Sequence, residues 1–137
     1  MIDVLFVNPL IGAKSYQALA ENYSAIEPPT WSLLLAESCR AKNFTVAILD
    51  CDAEKLSDED AINRIENLKP RLILFVIYGQ NPNSGTVNMS GAIQLANVIK
   101  KSNYEQIVSF VGSHSSALPI EVLKNHSIDI VFLNEGV

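Results

Sequence analysis

Apolar residues along this chain gather into five short, nearly unbroken runs separated by longer stretches of helical periodicity. The runs are Asp3–Asn8 (DVLFVN), Thr45–Leu49, Leu72–Ile77, Ile107–Val111 and Ile130–Leu133. Runs that lack an alternating polar face predict strands buried on both sides, the signature of a parallel sheet covered by helices. Between the runs, Leu33, Leu34 and Ala36 with the neighbouring Glu37 and Arg40 predict a first helix, entered through Pro28-Pro29-Thr30 with Thr30 as its cap. Ser57 followed by Asp58, Glu59 and Asp60 predicts a capped second helix whose stripe is Ala61, Ile62, Ile65 and Leu68 and which Pro70 stops. A third helix is expected from about Asn88 to Lys101, turning Ile93, Leu95, Ala96, Val98 and Ile99 to the sheet, and a fourth from Pro119 through Val122 and Leu123. Strands that alternate with helices throughout require right-handed crossovers and predict an α/β fold, a three-layer α/β/α sandwich. Among doubly wound arrangements the expected strand order is 2-1-3-4-5, the flavodoxin-like (Rossmann-like) five-stranded parallel sheet.

The chain has 137 residues, 48% of them hydrophobic, which suits one domain over 1–137 with a core of useful size. Net charge is −5, and the basic residues are scattered apart from Lys100-Lys101. Nucleic acid and anionic membrane surfaces are therefore poor partners. No apolar run approaches the ~20 residues that span a bilayer, and the N-terminus opens on a strand instead of a basic leader, so the expected location is cytoplasmic. Cys39 and Cys51 lack CxxC spacing and any cluster of metal ligands, and read as buried free thiols.

Ligands of open α/β sheets bind beyond the carboxyl ends of the strands, where the strand order reverses. That rule selects Asn8, Pro9 and Leu10 after strand one; Tyr78, Gly79, Gln80 and Asn81 after strand three; and, after strand four, Gly112, Ser113, His114 and Ser115, with Leu118 and Pro119 opening the next helix. The last of these segments reads as a small-residue loop with its histidine at the rim of a pocket, and Gly112 as the point where a ligand approaches bare backbone. Together the three loops offer amides, carboxamides and hydroxyls with almost no charge, which fits a large neutral ligand better than a phosphate-rich one. No GxGxxG follows strand one, so Asp50 and Asp52 after strand two read as solvated turn residues and not as ribose ligands. Asn8, Tyr78 and Ser113 stand where a phosphate-accepting receiver domain needs acids and a lysine. No nucleophile, base and orienting acid are grouped; His126 reads as a cation at a helix C-terminus. Trp31, at a helix start, reads as core packing in preference to a wall of the site. The long segment Pro9–Pro29 is either functional or disordered.

Val111-Gly112-Ser113-His114-Ser115-Ser116-Ala117-Leu118-Pro119 resembles the GGPHxTALPEEVL loop of cobalamin-binding domains fused to radical S-adenosylmethionine (SAM) enzymes. Further segments are similar to the same family in the same order. DVLFVNPLIG resembles its opening strand and Asn-Pro loop, Glu27–Ala36 its PPLGLLYLAA helix, Asn43–Asp50 its GYEVEILD strand, and Asn134-Glu135-Gly136 its GEGE segment.

The resemblance implies that the ligand is cobalamin, with the corrin against the strand-end loops and the nucleotide tail beside the sheet. Gly112 and Ser113 fall where the family has Gly-Gly, Tyr78 and Gly79 fall near its contacts after strand three, and Glu135 and Gly136 belong to the segment leading to the next domain. A cobalt-ligating histidine after strand one is missing, since Asn8, Leu10 and Gly12 supply no imidazole. His114, from another loop, is implied as a contact of the tail and not as a cobalt ligand. The CxxxCxxC motif is absent, so a 4Fe-4S cluster and SAM would belong to a following radical SAM domain outside this chain. The domain alone is then non-catalytic, holding the corrinoid for methyl transfer or redox chemistry. The alternative is a flavodoxin-like small-molecule or scaffold domain without cobalamin. On the cobalamin reading, Gly112→Val blocks the tail's path and leaves the fold intact.

Overall fold

Five strands pair in parallel in the order β2-β1-β3-β4-β5, as the alternation of runs and helical stretches predicts. The structure is a computed structural model that describes residues 1–10, 27–78 and 82–134, with 82–87 described by backbone alone. In chain order the elements are β1 (Ile2–Asn8), α1 (Thr30–Arg40), β2 (Val46–Asp50), α2 (Asp58–Leu68), β3 (Pro70–Ile77), α3 (Pro82–Ser102), β4 (Ile107–Gly112), α4 (Ser113–Ala117), α5 (Pro119–Leu123) and β5 (Ile130–Phe132). Most of the segment Pro9–Pro29, together with Gly79, Gln80, Asn81, Glu135 and Gly136, lies outside the described residues.

Side chains alternate across the sheet and divide the core in two. Leu5, Val7, Leu49, Ile73, Phe75, Ile77, Val108 and Phe110 face α2, α3 and α5. Phe6, Leu74, Val76 and Val111 face α1, which contributes Leu35 and Ala36. Phe6, Phe75 and Phe110 are fully buried, each contributing about 1.5–3 kcal/mol from apolar burial. Phe75 and Phe110 meet at 5.1 Å between ring centroids, tilted by 51°, a geometry that suits the aromatic quadrupole.

The second helix begins as its sequence predicts: the Ser57 hydroxyl accepts from the Asp60 amide at 3.1 Å and donates to the Asp60 carboxylate at 2.6 Å. Lys69 then turns left-handed before Pro70 opens β3. Four expectations need correction. Thr30 is not the cap of α1 but its first residue, after Pro29, and its hydroxyl donates backward to the Pro28 carbonyl at 3.4 Å. The third helix starts at Pro82, not near Asn88, because a proline at the first helical position gives up no hydrogen bond that a helix needs. The residues after β4 are not an open loop but the short helix α4, in which the Leu118 amide donates to the His114 carbonyl at 3.0 Å. β5 is not buried on both faces: Ile130 and Phe132 are 41% and 38% exposed, since β5 lies at the sheet edge.

Candidate functional site

The carboxyl ends of β1 and β3 diverge from the N-terminus of α1, and a cleft of about 210 Å³ opens between them. Its walls are Asn8 and Pro9 from β1 and the residue beyond, Val76 and Tyr78 from the end of β3, Glu27 to Ser32 from the entry to α1, and Asp52 and Asn88 at the margins. The chain enters α1 through a tight turn at Pro29, with φ of −77° and ψ of 59° and the Thr30 amide donating to the Pro28 carbonyl at 2.7 Å, and α1 then starts at once, with the Leu33 amide donating to the Pro29 carbonyl at 3.0 Å.

Asn8 is fixed by a clip at the strand ends. Its side-chain amide donates to the Asp50 carboxylate at 2.8 Å, the same oxygen accepts from the Ala53 amide at 3.1 Å, and the Asn8 carbonyl accepts from the Cys51 amide at 3.0 Å. Asp50 is therefore a hydrogen-bonded strand end and not a solvated turn residue, while Asp52, in the turn after β2, lines the cleft. Burial beside Asp50 pushes the Cys51 thiol up to about 12, while burial raises the Cys39 thiol to a smaller extent. Cys39 is only partly buried.

Trp31 and Tyr78 form the aromatic wall, stacked at 4.5 Å between centroids with 24° between planes. Trp31 thus packs on the α1-side core and also lines the cleft, a double role that the preference for core packing missed. Ser32, Val76 and Asn88 were missed as well. The available signal was the helix start itself: in a doubly wound sheet, the N-terminus of the first helix must lie beside the carboxyl end of strand one.

The expected site residues separate into groups. Asn8, Pro9 and Tyr78 line the cleft, and Leu10, 37% exposed, lies just beyond Pro9. Gly112 ends β4, Ser113, His114 and Ser115 lie in α4, Leu118 joins α4 to α5 and Pro119 opens α5; none of them is among the cleft walls. Within that segment Ser113 and Leu118 are exposed, His114 and Pro119 are half-buried, and Ser115 is fully buried with no partner for its hydroxyl among the described residues. Gly112 pairs with Ile77 as the last rung of β3 and β4. A Cβ on Gly112 would lie 2.2 Å from the Ile77 carbonyl oxygen. The glycine therefore serves close strand approach, and Gly112→Val disrupts the sheet instead of leaving the fold intact. Tyr78 links the two regions. Its hydroxyl donates to the Asn134 carbonyl at 2.7 Å, and the Ser116 hydroxyl reaches the same oxygen at 3.5 Å.

Chemically, the cleft offers carboxamides, hydroxyls, prolines and a stacked aromatic pair, and among the described residues its charged side chains are the carboxylates of Glu27 and Asp52. Such a lining suits a ligand rich in amide groups and flat surface, and repels a free polyphosphate. No group of three or more His, Cys, Asp or Glu among the described residues is arranged to hold a metal ion. No helix among them is long and apolar enough to cross a membrane.

A family model described as B12 binding domain matches residues 16–137. No curated protein matches the sequence. Among solved structures, a radical S-adenosylmethionine methyltransferase, TsrM, from Kitasatospora setae, with tryptophan substrate and a SAM analogue bound, superposes with a TM-score of 0.66 at 14% sequence identity. The match covers 94% of this chain and 22% of that one, so this chain spans about a fifth of the length of that protein. At that identity the likeness is one of fold.

Proposed function

The chain belongs to the B12 binding domain family, and from that premise we propose that the cleft under Trp31 and Tyr78 is where it takes hold of cobalamin, for use by a radical SAM domain. The observation that carries this reading is the cleft itself: it lies at the carboxyl ends of β1 and β3, where strand order reverses, and is walled by neutral hydrogen-bonding groups and two stacked rings. These residues fit the cofactor. A corrin periphery carries carboxamide arms, for which Asn8, Thr30, Ser32 and Asn88 are matched partners, and Glu27 and Asp52 accept from amide N–H groups. The fully buried Ser115 hydroxyl, unpartnered among the described residues, is a further polar group at the same end of the sheet.

Cobalamin supplies reactive cobalt, and with it methyl transfer or redox chemistry, when bound. Asn8 supplies no imidazole beneath the cleft, and His114 lies in α4 and not in the cleft wall. The cleft residues would therefore bind and orient the corrin with no imidazole contributed from the cleft wall. At about 210 Å³ the cleft is below the ~300–1,000 Å³ of sites that enclose a drug-sized ligand. It grips only part of so large a cofactor, and the exposed remainder faces the partner domain. Similarity to the TsrM fold supports a radical SAM domain as that partner, with its 4Fe-4S cluster and SAM, and a methyltransferase as the parent enzyme.

The test is to mix purified domain with hydroxocobalamin, remove free ligand by gel filtration and record the visible spectrum of the protein peak. A corrin spectrum without the signature of imidazole ligation is expected. A colourless peak at micromolar protein would refute binding by this domain.

A further inference from the structure

Two observations at the end of the sheet are not accounted for by cofactor binding alone. Tyr78 belongs to the cleft wall through its ring, stacked on Trp31 at 4.5 Å, yet its hydroxyl is turned away to donate to the Asn134 carbonyl at 2.7 Å. Asn134 is left-handed, with φ of 61°, a conformation that Asn tolerates better than most residues and that redirects the backbone just past β5. The Ser116 hydroxyl also reaches that carbonyl, at 3.5 Å. The backbone leaving β5 is thus held by a side chain whose ring lines the cleft, while Leu133 beside it is 54% exposed and gives little apolar anchoring.

We infer that Tyr78 is a positioning residue that couples occupancy of the cleft to the setting of the backbone at Leu133 and Asn134. The inference rests on the cobalamin reading of the cleft. A ligand packed against the Trp31–Tyr78 stack restricts the Tyr78 ring, and a restricted ring holds its hydroxyl on Asn134. By linkage, holding Asn134 favours the ligand to the same degree. The coupling passes through one hydrogen bond, so removing the hydroxyl weakens hydroxocobalamin binding about fivefold.

The experiment compares wild type with Tyr78→Phe, which keeps the stacking ring and removes the donor. Hydrogen exchange is followed in a fragment covering Ile130–Asn134, with and without saturating hydroxocobalamin, and bound corrin is read from the visible spectrum of the same samples. Ligand should slow exchange in this fragment several-fold in wild type and leave it unchanged in Tyr78→Phe, with the fivefold affinity loss. Equal slowing in both proteins, or no slowing in wild type with corrin bound, would overturn the coupling alone. A wild-type sample with no bound corrin would overturn the coupling and the cobalamin reading together.

Discussion

Replacing Gly112 by alanine tests whether this residue serves the sheet or the ligand. The backbone there has φ of 157° and ψ of 173°, in an extended region with positive φ that is essentially restricted to glycine and costs about 1–3 kcal/mol for other residues. The added Cβ would lie 2.2 Å from the Ile77 carbonyl oxygen and 2.8 Å from its carbon. Both are backbone atoms of the central strand β3, which cannot swing aside as a side chain would. Relief therefore requires opening the last rung between β3 and β4, at the Ile77–Gly112 pair, with loss of about 1 kcal/mol of hydrogen bonding. The sum is about 2–4 kcal/mol, a large share of the ~5–15 kcal/mol that keeps a domain folded. For 137 residues the entropy of unfolding converts it to a fall in Tm of roughly 7–14 °C. Thermal unfolding followed by far-ultraviolet circular dichroism measures it, with the exposed neighbour substitution Ser113→Ala as a control expected to stay within ~0.5 kcal/mol of wild type. A Gly112→Ala protein melting within about 2 °C of wild type would show that the strands have room there, and would refute the reasoning.

Three further outcomes are expected. Asn8→Ala removes the donor that holds the Asp50 carboxylate at 2.8 Å and should lower stability by about 1–2 kcal/mol in urea denaturation; no change would mean the clip contributes nothing. Trp31→Ala removes half of the stacked wall and should weaken hydroxocobalamin binding tenfold or more, measured by equilibrium dialysis, while Trp31→Phe retains most of it; equal affinities in all three proteins would remove Trp31 from the site. Cys51, raised from 9.0 to about 12 by burial and then by Asp50, keeps its proton in the folded state at pH values where the unfolded chain loses it. Stability should therefore fall as pH rises from about 9 towards 12, and a Cys51→Ala protein should show a flatter profile in urea melts; identical slopes would contradict the assignment.

The fold was readable because its signals are redundant. Unbroken apolar runs such as LILFV in β3, bounded by turn residues and alternating with helical stretches, point to strands covered on both faces, and Ser57 with Asp60 marks a helix start that the structure reproduces to the hydrogen bond. The edge strand misled for a physical reason: Ile130 and Phe132 have the composition of buried residues, and sequence does not reveal which strand has a neighbour on one side only. The site was half legible. Strand-end position selected Asn8, Pro9 and Tyr78, which do line the cleft. Trp31 reads first as core packing and only second as a wall of the site, and Ser32 carries no site signal of its own, because only the crossover geometry brings their helix end over the gap beyond β1. Gly112 was misread because a glycine permits close approach by a ligand or by another strand, and no local pattern distinguishes the two.

Cobalamin held in the cleft under Trp31 would leave its mark on the residues that line it. The most direct measurement is a titration of isotope-labelled domain with diamagnetic hydroxocobalamin, following amide and indole signals by two-dimensional NMR. The Trp31 indole and the amides of Asn8, Ser32, Asp52 and Tyr78 should shift together, while those of Glu66 and Gln106, in the groove between α2 and α3 at the opposite end of the sheet, stay in place. Shifts confined to other surfaces, or a Trp31 indole unmoved at saturation, would contradict cobalamin binding in this cleft.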